Sequence, residues 1–249
     1  MPLQHSPRVS VFANERIAAR ALARRIADAI TANPHLVLGL PTGRTPVGFY
    51  HELATLAARG RANFAGVTTF NLDEFFGIPA SDAGSYRRYM DAHLFSRVPI
   101  DPSRINFLDG AAPDSDAECG RYERAIADAG GIDIQILGIG TNGHIGFNEP
   151  ASELQARTHR VRLKPETRRS NAALFGGDTR RVPTEALSMG MATILQARSI
   201  ILLATGRSKA ECIARAVHGP ITPQLPASFL QLHRDVDVFV DEAAAQKLQ

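Results

Sequence analysis

Two short stretches of this sequence hold the groups best suited to moving protons. One is "NLDEFFG" (71–77), with the carboxylate pair Asp73 and Glu74. The other is "LGIGTNGHIGFNEP" (137–150), with Asn142, His144 and Glu149 inside eight residues. A carboxyl beside the aromatic pair Phe75–Phe76 can lose enough water for its pKa to climb from ~3.9 towards neutrality, the range a general base needs. A histidine titrates there already. Plainer roles are open to the same residues. Asp73 and Glu74 can cap a turn or a helix, and His144 can satisfy a turn while Glu149 stays in solvent. The glycines around His144 permit unusual backbone angles and close approach of a ligand, which favours chemistry there. Metal binding is not expected, because a histidine and a glutamate separated by four residues, with no second histidine nearby, is poor zinc spacing.

Two further loops suit an anion. "LPTGRTP" supplies Pro41, Thr42, Gly43, Arg44 and Thr45 ahead of a helix begun at Pro46, where free N–H groups and the helix dipole can cradle negative charge. "LLATGRSKA" repeats the arrangement with Thr205, Gly206, Ser208 and Lys209. Lysine occurs only at 164, 209 and 247, so its presence in such a loop is informative. Neither loop has the spacing of a nucleotide-binding P-loop, and either glycine can simply cap a strand turn. Gly138, Gly140 and Gly143 spell a literal G-x-G-x-x-G, but that fingerprint needs its third glycine to open a helix. Gly146 and Pro150 follow within seven residues of Gly143. A nicotinamide cofactor is therefore not expected.

These loops must be held by something regular. "HLVLGL" (35–40), "VTTFNL" (67–72), "IDIQILGIG" and "SIILLATG" read as strands. A first helix near the N-terminus, "TPVGFYHELATLAARG", "SYRRYMDAHLF", "DAECGRYERAIADAG", "TEALSMGMATILQA" and "RSKAECIARAVHG" read as helices. Two short apolar runs, "SFLQLH" and "DVDVFVD", close the sequence. Strands recurring with intervening helices predict a Rossmann-like three-layer α/β/α sandwich with a mostly parallel sheet, read as one domain over 1–249. Ligands in such folds bind beyond the carboxyl ends of the strands, where all four loops fall.

Composition narrows the function classes. The formal charge is +3, with arginines dispersed among acids and no basic block, so nucleic acid is not an expected partner. No apolar run approaches the ~18 residues of a membrane span. The N-terminal stretch lacks the apolar core of a secretory signal, and Cys119 and Cys212 form no C-x-x-C; a reducing cytoplasm is the expected compartment.

Taken together, "LGLPTGRTP", "TFNLDEF", "LGIGTNGHIGFNEP", "LLATGRSKA" and "PASFLQLH", in this order, resemble the glucosamine-6-phosphate deaminases, over roughly residues 36–241. The resemblance implies isomerisation and deamination of an aldose 6-phosphate without cofactor, by a monomer or homo-oligomer. It implies Asp73 as the acceptor of the sugar C2 proton and His144 as the group that opens the pyranose ring, assisted by Glu149 and Asn142. Pro41, Thr42, Gly43, Arg44, Thr45, Gly143 and Lys209 are the implied substrate and phosphate contacts. Two departures stand out. Asn142 replaces the aspartate of some relatives and can still hydrogen-bond His144. Ala173 stands where the best-known members carry a phosphate-contacting arginine, which leaves Arg44, Arg168 or Arg169 to supply the charge. The same absence marks the galactosamine-6-phosphate branch, an alternative substrate. A lactonase-type hydrolase and a non-catalytic sugar-phosphate sensor are further alternatives. "ARTHRVRL" lacks the basic pattern of allosterically activated relatives, so no activation by N-acetylglucosamine 6-phosphate is expected.

Overall fold

The computed structural model describes residues 6–248; the first five residues of the N-terminal stretch lie outside them. The chain opens with strand β1 (Arg8–Phe12) and helix α1 (Glu15–Ala32), whose N-cap Asn14 accepts a hydrogen bond from the Ile17 N–H. Leu22, Ile26 and Ile30 recur at helical spacing and are buried. Strand β2 (Val37–Leu40), helix α2 (Val47–Ala58) and strand β3 (Thr68–Asn71) follow. Then come strand β4 (Asp73–Phe76), helix α3 (Tyr86–His93), the two-residue strand β5 (Ile105–Asn106), helix α4 (Ser115–Asp128) and strand β6 (Ile134–Leu137). The last part holds strand β7 (His159–Arg162), helix α5 (Pro165–Asn171), strand β8 (Glu185–Ser188), helix α6 (Met191–Leu195) and strand β9 (Ser199–Ala204). Helix α7 (Ala210–His218), strand β10 (Val236–Asp241) and helix α8 (Glu242–Ala245) complete it.

Seven strands form one sheet in the order β1-β10-β9-β6-β2-β3-β5, every pair parallel. Side chains alternate between its faces. Ile200 and Leu202 pack with residues of α4, α6 and α7, whereas Ile201 and Leu203 pack with residues of α1, α2 and α3. Both faces are covered, which gives the expected three layers and explains why the central strands are continuously apolar. The chain runs β2 to β3 in one direction and returns through β6 on the other side of β2. The crevice between these strand ends is the switch point where such sheets bind ligands.

The sequence reading fails at the second sheet, β4-β8-β7, which is antiparallel. "TEALSMGMATILQA", expected as one helix, is β8 followed by the short α6. Gly190 separates them, and a β-carbon there would stand 2.2 Å from the Arg157 carbonyl oxygen. The segment after Leu72, expected as a loop, is β4. Leu72 is where the chain changes sheets: its N–H donates to the Leu40 carbonyl at 3.1 Å, and its own carbonyl accepts from Met189 N at 2.8 Å. Of the two closing apolar runs, "DVDVFVD" is β10, but "SFLQLH" lies in a 3-10 turn over Pro226–Leu232.

Candidate active site

The carboxyl ends of β9, β6, β2 and β3 lie side by side, so the loops that follow them share one edge of the sheet. At ~4.8 Å per strand the four ends span about 14 Å.

The Asp73–Glu74 pair divides its labour. Glu74 is 1% exposed and accepts from the N–H groups of Phe75 (2.8 Å), Tyr86 (2.9 Å) and Arg87 (2.9 Å). Tyr86 and Arg87 are the first residues of α3, and the N-cap Ser85 takes the Arg88 N–H, so Glu74 is a helix cap. Burial nonetheless raises its pKa to about 7. Asp73 has one weak donor, Thr42 Oγ1 at 3.5 Å from Oδ1. Burial first, and the neighbouring Glu74 charge second, push Asp73 up to about 8, with the Thr42 hydroxyl opposing.

After β6 the chain forms a closed turn, with no helix at Gly143. Gly143 N donates to Gly140 O at 3.0 Å, and Gly140 N donates to His144 O at 2.9 Å. The imidazole lies over Gly140, where a β-carbon would stand 2.2 Å from His144 Cε1. Gly143 has φ +86°, and its carbonyl accepts from Ala227 N in the 226–232 turn. Gly146, with φ +58°, brings this loop against Asp73: its β-carbon position lies 3.7 Å from Asp73 Oδ2. Ser188 of β8, paired in register with Asp73, holds the loop by accepting from Phe147 N at 3.0 Å.

Glu149 reaches back towards His144, with Oε1 3.5 Å from Nδ1. That contact is an ion-pair distance and not a formed hydrogen bond, and among the described residues Nδ1 has no other partner. Asn142 bonds the backbone N–H of His144 (3.2 Å) and donates to Glu149 Oε2 (2.8 Å), so it braces the pair without touching the ring. Thr167 of α5 donates its hydroxyl to Glu149 Oε1. Burial opposes the Glu149 charge, but His144, Thr167 and Asn142 overcome it and bring the pKa down to about 2.

The first anion loop is braced from beneath. Tyr50 donates to the Pro41 carbonyl and Tyr89 to the Gly43 carbonyl. Gly43 has φ +104°, and α2 follows Pro46 without a side-chain cap; Val47 N turns back to the Arg44 carbonyl at 3.4 Å, which leaves the Gly48 and Phe49 N–H groups available. In the second loop Gly206 N donates to the buried Asp241 at 3.0 Å, and Lys209 closes a single 3-10 turn before α7. Burial lowers the Lys209 pKa, and the charge of Arg44 on the neighbouring loop lowers it further. Among the described residues no carboxylate pairs with either.

The other two candidate cations are committed elsewhere. The Arg168 guanidinium donates to the carbonyls of Val182 and Thr179, and Arg169 pairs with Glu166 at 2.7 Å. Ala173 is exposed in the 3-10 turn Ala172–Phe175. Sequence reasoning missed Thr167 and Tyr86. Thr167 lies eighteen residues from its partner, and no local pattern marks a threonine that is buried on a charged helix.

A family model described as glucosamine-6-phosphate isomerases/6-phosphogluconolactonase matches residues 13–239. A glucosamine-6-phosphate deaminase of Clostridium botulinum (strain Langeland) is 46% identical over 242 residues, covering 97% of this chain and 99% of the relative. One of Halothermothrix orenii is 47% identical over 241 residues, covering 97% and 100%. The solved structure of a monomeric glucosamine-6-phosphate deaminase superposes with a TM-score of 0.92 at 42% identity, covering 96% of this chain and 99% of that one. A 6-phosphogluconolactonase from Trypanosoma cruzi, with a TM-score of 0.77 at 21% identity and coverage of 99% and 98%, shares the fold. On these grounds the chain belongs to the glucosamine-6-phosphate isomerase/6-phosphogluconolactonase family.

Proposed function

We propose that this chain is an enzyme that converts glucosamine 6-phosphate to fructose 6-phosphate and ammonia, a step of amino-sugar breakdown. One observation carries the reading: Asp73, with a pKa near 8, borders the His144 loop at an edge that also carries two unpaired cations. Lys209, Arg44 and the N–H groups of the 41–46 loop hold the phosphate, with Arg44 supplying the charge missing at Ala173. Gly143 lets the backbone approach the sugar. His144 opens the pyranose by passing a proton to the ring oxygen as the anomeric hydroxyl gives one up. Glu149 stabilises the imidazolium, and Asn142 keeps Glu149 in place. Asp73 then takes the C2 proton, the electron pair moves towards the C1 carbonyl, and the enolamine is reprotonated at C1. The resulting imine at C2 is hydrolysed by one water, leaving the ketone and ammonia. The substrate's own carbonyl is the electron sink, so the residues present suffice for each proton transfer. A positioned acid or base contributes roughly 10²–10⁴-fold to such a step.

No helix among the described residues is long and apolar enough to cross a membrane. A cytoplasmic enzyme fits the reading, and the name of the structural neighbour favours a monomer, which sedimentation tests. Curated relatives at 45–48% identity carry the glucosamine name, which favours that hexosamine over galactosamine. The deciding assay measures ammonia and fructose 6-phosphate from glucosamine 6-phosphate, with galactosamine 6-phosphate run alongside. Equal yields of the two products from the glucosamine substrate are expected. Binding without ammonia would overturn the enzyme reading, and release from galactosamine 6-phosphate alone would overturn the substrate.

A further inference from the structure

Helix α5 crosses the site as a hydrogen-bonded bridge. Thr167 is 6% exposed, and its hydroxyl has a single proton, which goes to Glu149 Oε1. Its carbonyl accepts from Asn171 Nδ2 at 2.9 Å and from Ser170 Oγ at 2.8 Å. Asn171 Oδ1 in turn accepts from the Tyr86 hydroxyl at 3.0 Å. Tyr86 is the first residue of α3, and its N–H is capped by Glu74, the neighbour of Asp73. A continuous path therefore runs from the His144–Glu149 pair through one turn of α5 to the strand end that bears Asp73.

We propose that Thr167 is a positioning residue: its hydroxyl fixes Glu149 against His144, and Asn171 and Tyr86 tie that pair to the Asp73 side of the site. The proposal rests on the reading of His144 and Glu149 as the working acid–base pair. A threonine hydroxyl inside a helix ordinarily bonds back to a carbonyl of the preceding turn. Here it reaches across to a buried carboxylate, which can only accept and which has few other donors. The competition is specific, since Thr167 and the imidazole address the same oxygen, Oε1. Withdrawing the hydroxyl leaves the charge of that oxygen to the imidazolium, while Asn142, still bonded to Oε2, keeps the carboxylate within reach of Nδ1.

Charged groups face this pair from few directions. Lys164 bonds the Pro150 carbonyl at 2.8 Å, Glu166 on α5 is exposed and paired with Arg169, and Asp73 borders the loop from β4. The 226–232 turn packed on Gly143 contributes no charge. None of these changes in a Thr167 variant.

The test titrates the His144 imidazole by NMR in full-length protein, assigned with His144→Gln, in wild type, Thr167→Val and Thr167→Ser. Valine keeps the shape and removes the donor. In Thr167→Val the midpoint is expected to rise by about half a pH unit or more, with serine restoring it. On glucosamine 6-phosphate, kcat is expected to fall roughly tenfold with KM little changed, as for loss of a hydrogen bond to a charged group. A lower melting temperature with an unmoved His144 midpoint would mean that Thr167 only packs, and the proposal would fall. If valine prevents folding, Thr167→Ala removes the same hydroxyl and is titrated instead. The titration needs no substrate, so an inactive wild type would overturn the deaminase reading while the His144 midpoint still decides this one.

Discussion

Asp73 and Glu149 are two carboxyls of the proposed site, 6% and 7% exposed, yet they are held in opposite states. Asp73 is pushed up to about 8 and Glu149 is drawn down to about 2. Desolvation works against the charge on both, and more heavily on Asp73, but it does not by itself reverse the sign of the shift. Their neighbours do. Asp73 has one long contact to Thr42 and a carboxylate beside it; Glu149 has an amide, a hydroxyl and an imidazole. Glu74 grades between them, since three N–H donors at still deeper burial leave it at about 7. The lesson is that donors together with a positive neighbour keep a buried carboxylate ionised, and their withdrawal makes a base. A group that must accept and return a proton is useful near neutrality, whereas one that steadies an imidazolium must stay charged. Pairs of groups with pKa values pushed apart mark such a division of roles.

The hardest way to break this contrast is to remove the base. Asp73→Asn should lower kcat by about 10⁴-fold and abolish exchange of the C2 proton with solvent, while phosphate binding survives. The same change should raise stability at neutral and alkaline pH. A carboxyl whose folded pKa lies above its ordinary 3.8 favours the native state at low pH, and that contribution drains away as pH climbs towards about 8. The melting temperature of the variant should therefore exceed wild type by several degrees, ~4 °C or more, at pH 8, and the gap should shrink by pH 5. Native-rate proton exchange in the variant would assign the base elsewhere.

Glu149→Gln attacks the other member. Its folded pKa lies below 4.5, so the stability it contributes is present above that value and is lost as pH falls towards about 2. The glutamine variant should be less stable than wild type at pH 7 by about 2 kcal/mol, the scale of a hydrogen bond to a charged group. Denaturant melts should converge only as pH approaches about 2. Turnover should drop by roughly 10²-fold, less than for Asp73, because His144 remains. A stability difference independent of pH would contradict the charge-based account.

The stretches that carry these groups were legible in the residues before any fold was known, whereas their division of roles was not, and the reason is physical. The four loops announced themselves because each follows an apolar run, and a parallel sheet must bring such ends to one edge. The choice between cap and base for Asp73 and Glu74 could not be made locally. It is decided by the N–H groups of Tyr86 and Arg87, twelve and thirteen residues on. The small antiparallel sheet was hidden because its strands have four residues each, too few for alternation to outweigh the helical pattern around Ala186 and Leu187. Ala173 was marked as lacking a cation by the resemblance alone, and it stands exposed in a 3-10 turn. That Arg168 is spent on the carbonyls of Thr179 and Val182, while the charge of Arg44 is felt at Lys209, is a matter of three-dimensional neighbours alone.

The finest test leaves both carboxyls in place and changes only the donor that Asp73 still has. Thr42 Oγ1 stands 3.5 Å from Oδ1 and opposes the rise in its pKa. Thr42→Val removes the hydroxyl at nearly constant volume, so the carboxyl should be harder still to ionise. In wild type kcat/KM should climb with pH through a midpoint near the Asp73 value of about 8, because the base works deprotonated. In the variant the climb should shift to higher pH by a few tenths of a unit, so that activity at pH 7 falls about two- to threefold while the alkaline plateau holds. A lowered plateau with an unmoved midpoint would mean that the hydroxyl serves the sugar phosphate and leaves Asp73 untouched. In that event the contrast between the two carboxyls would rest on burial and on Glu74 alone.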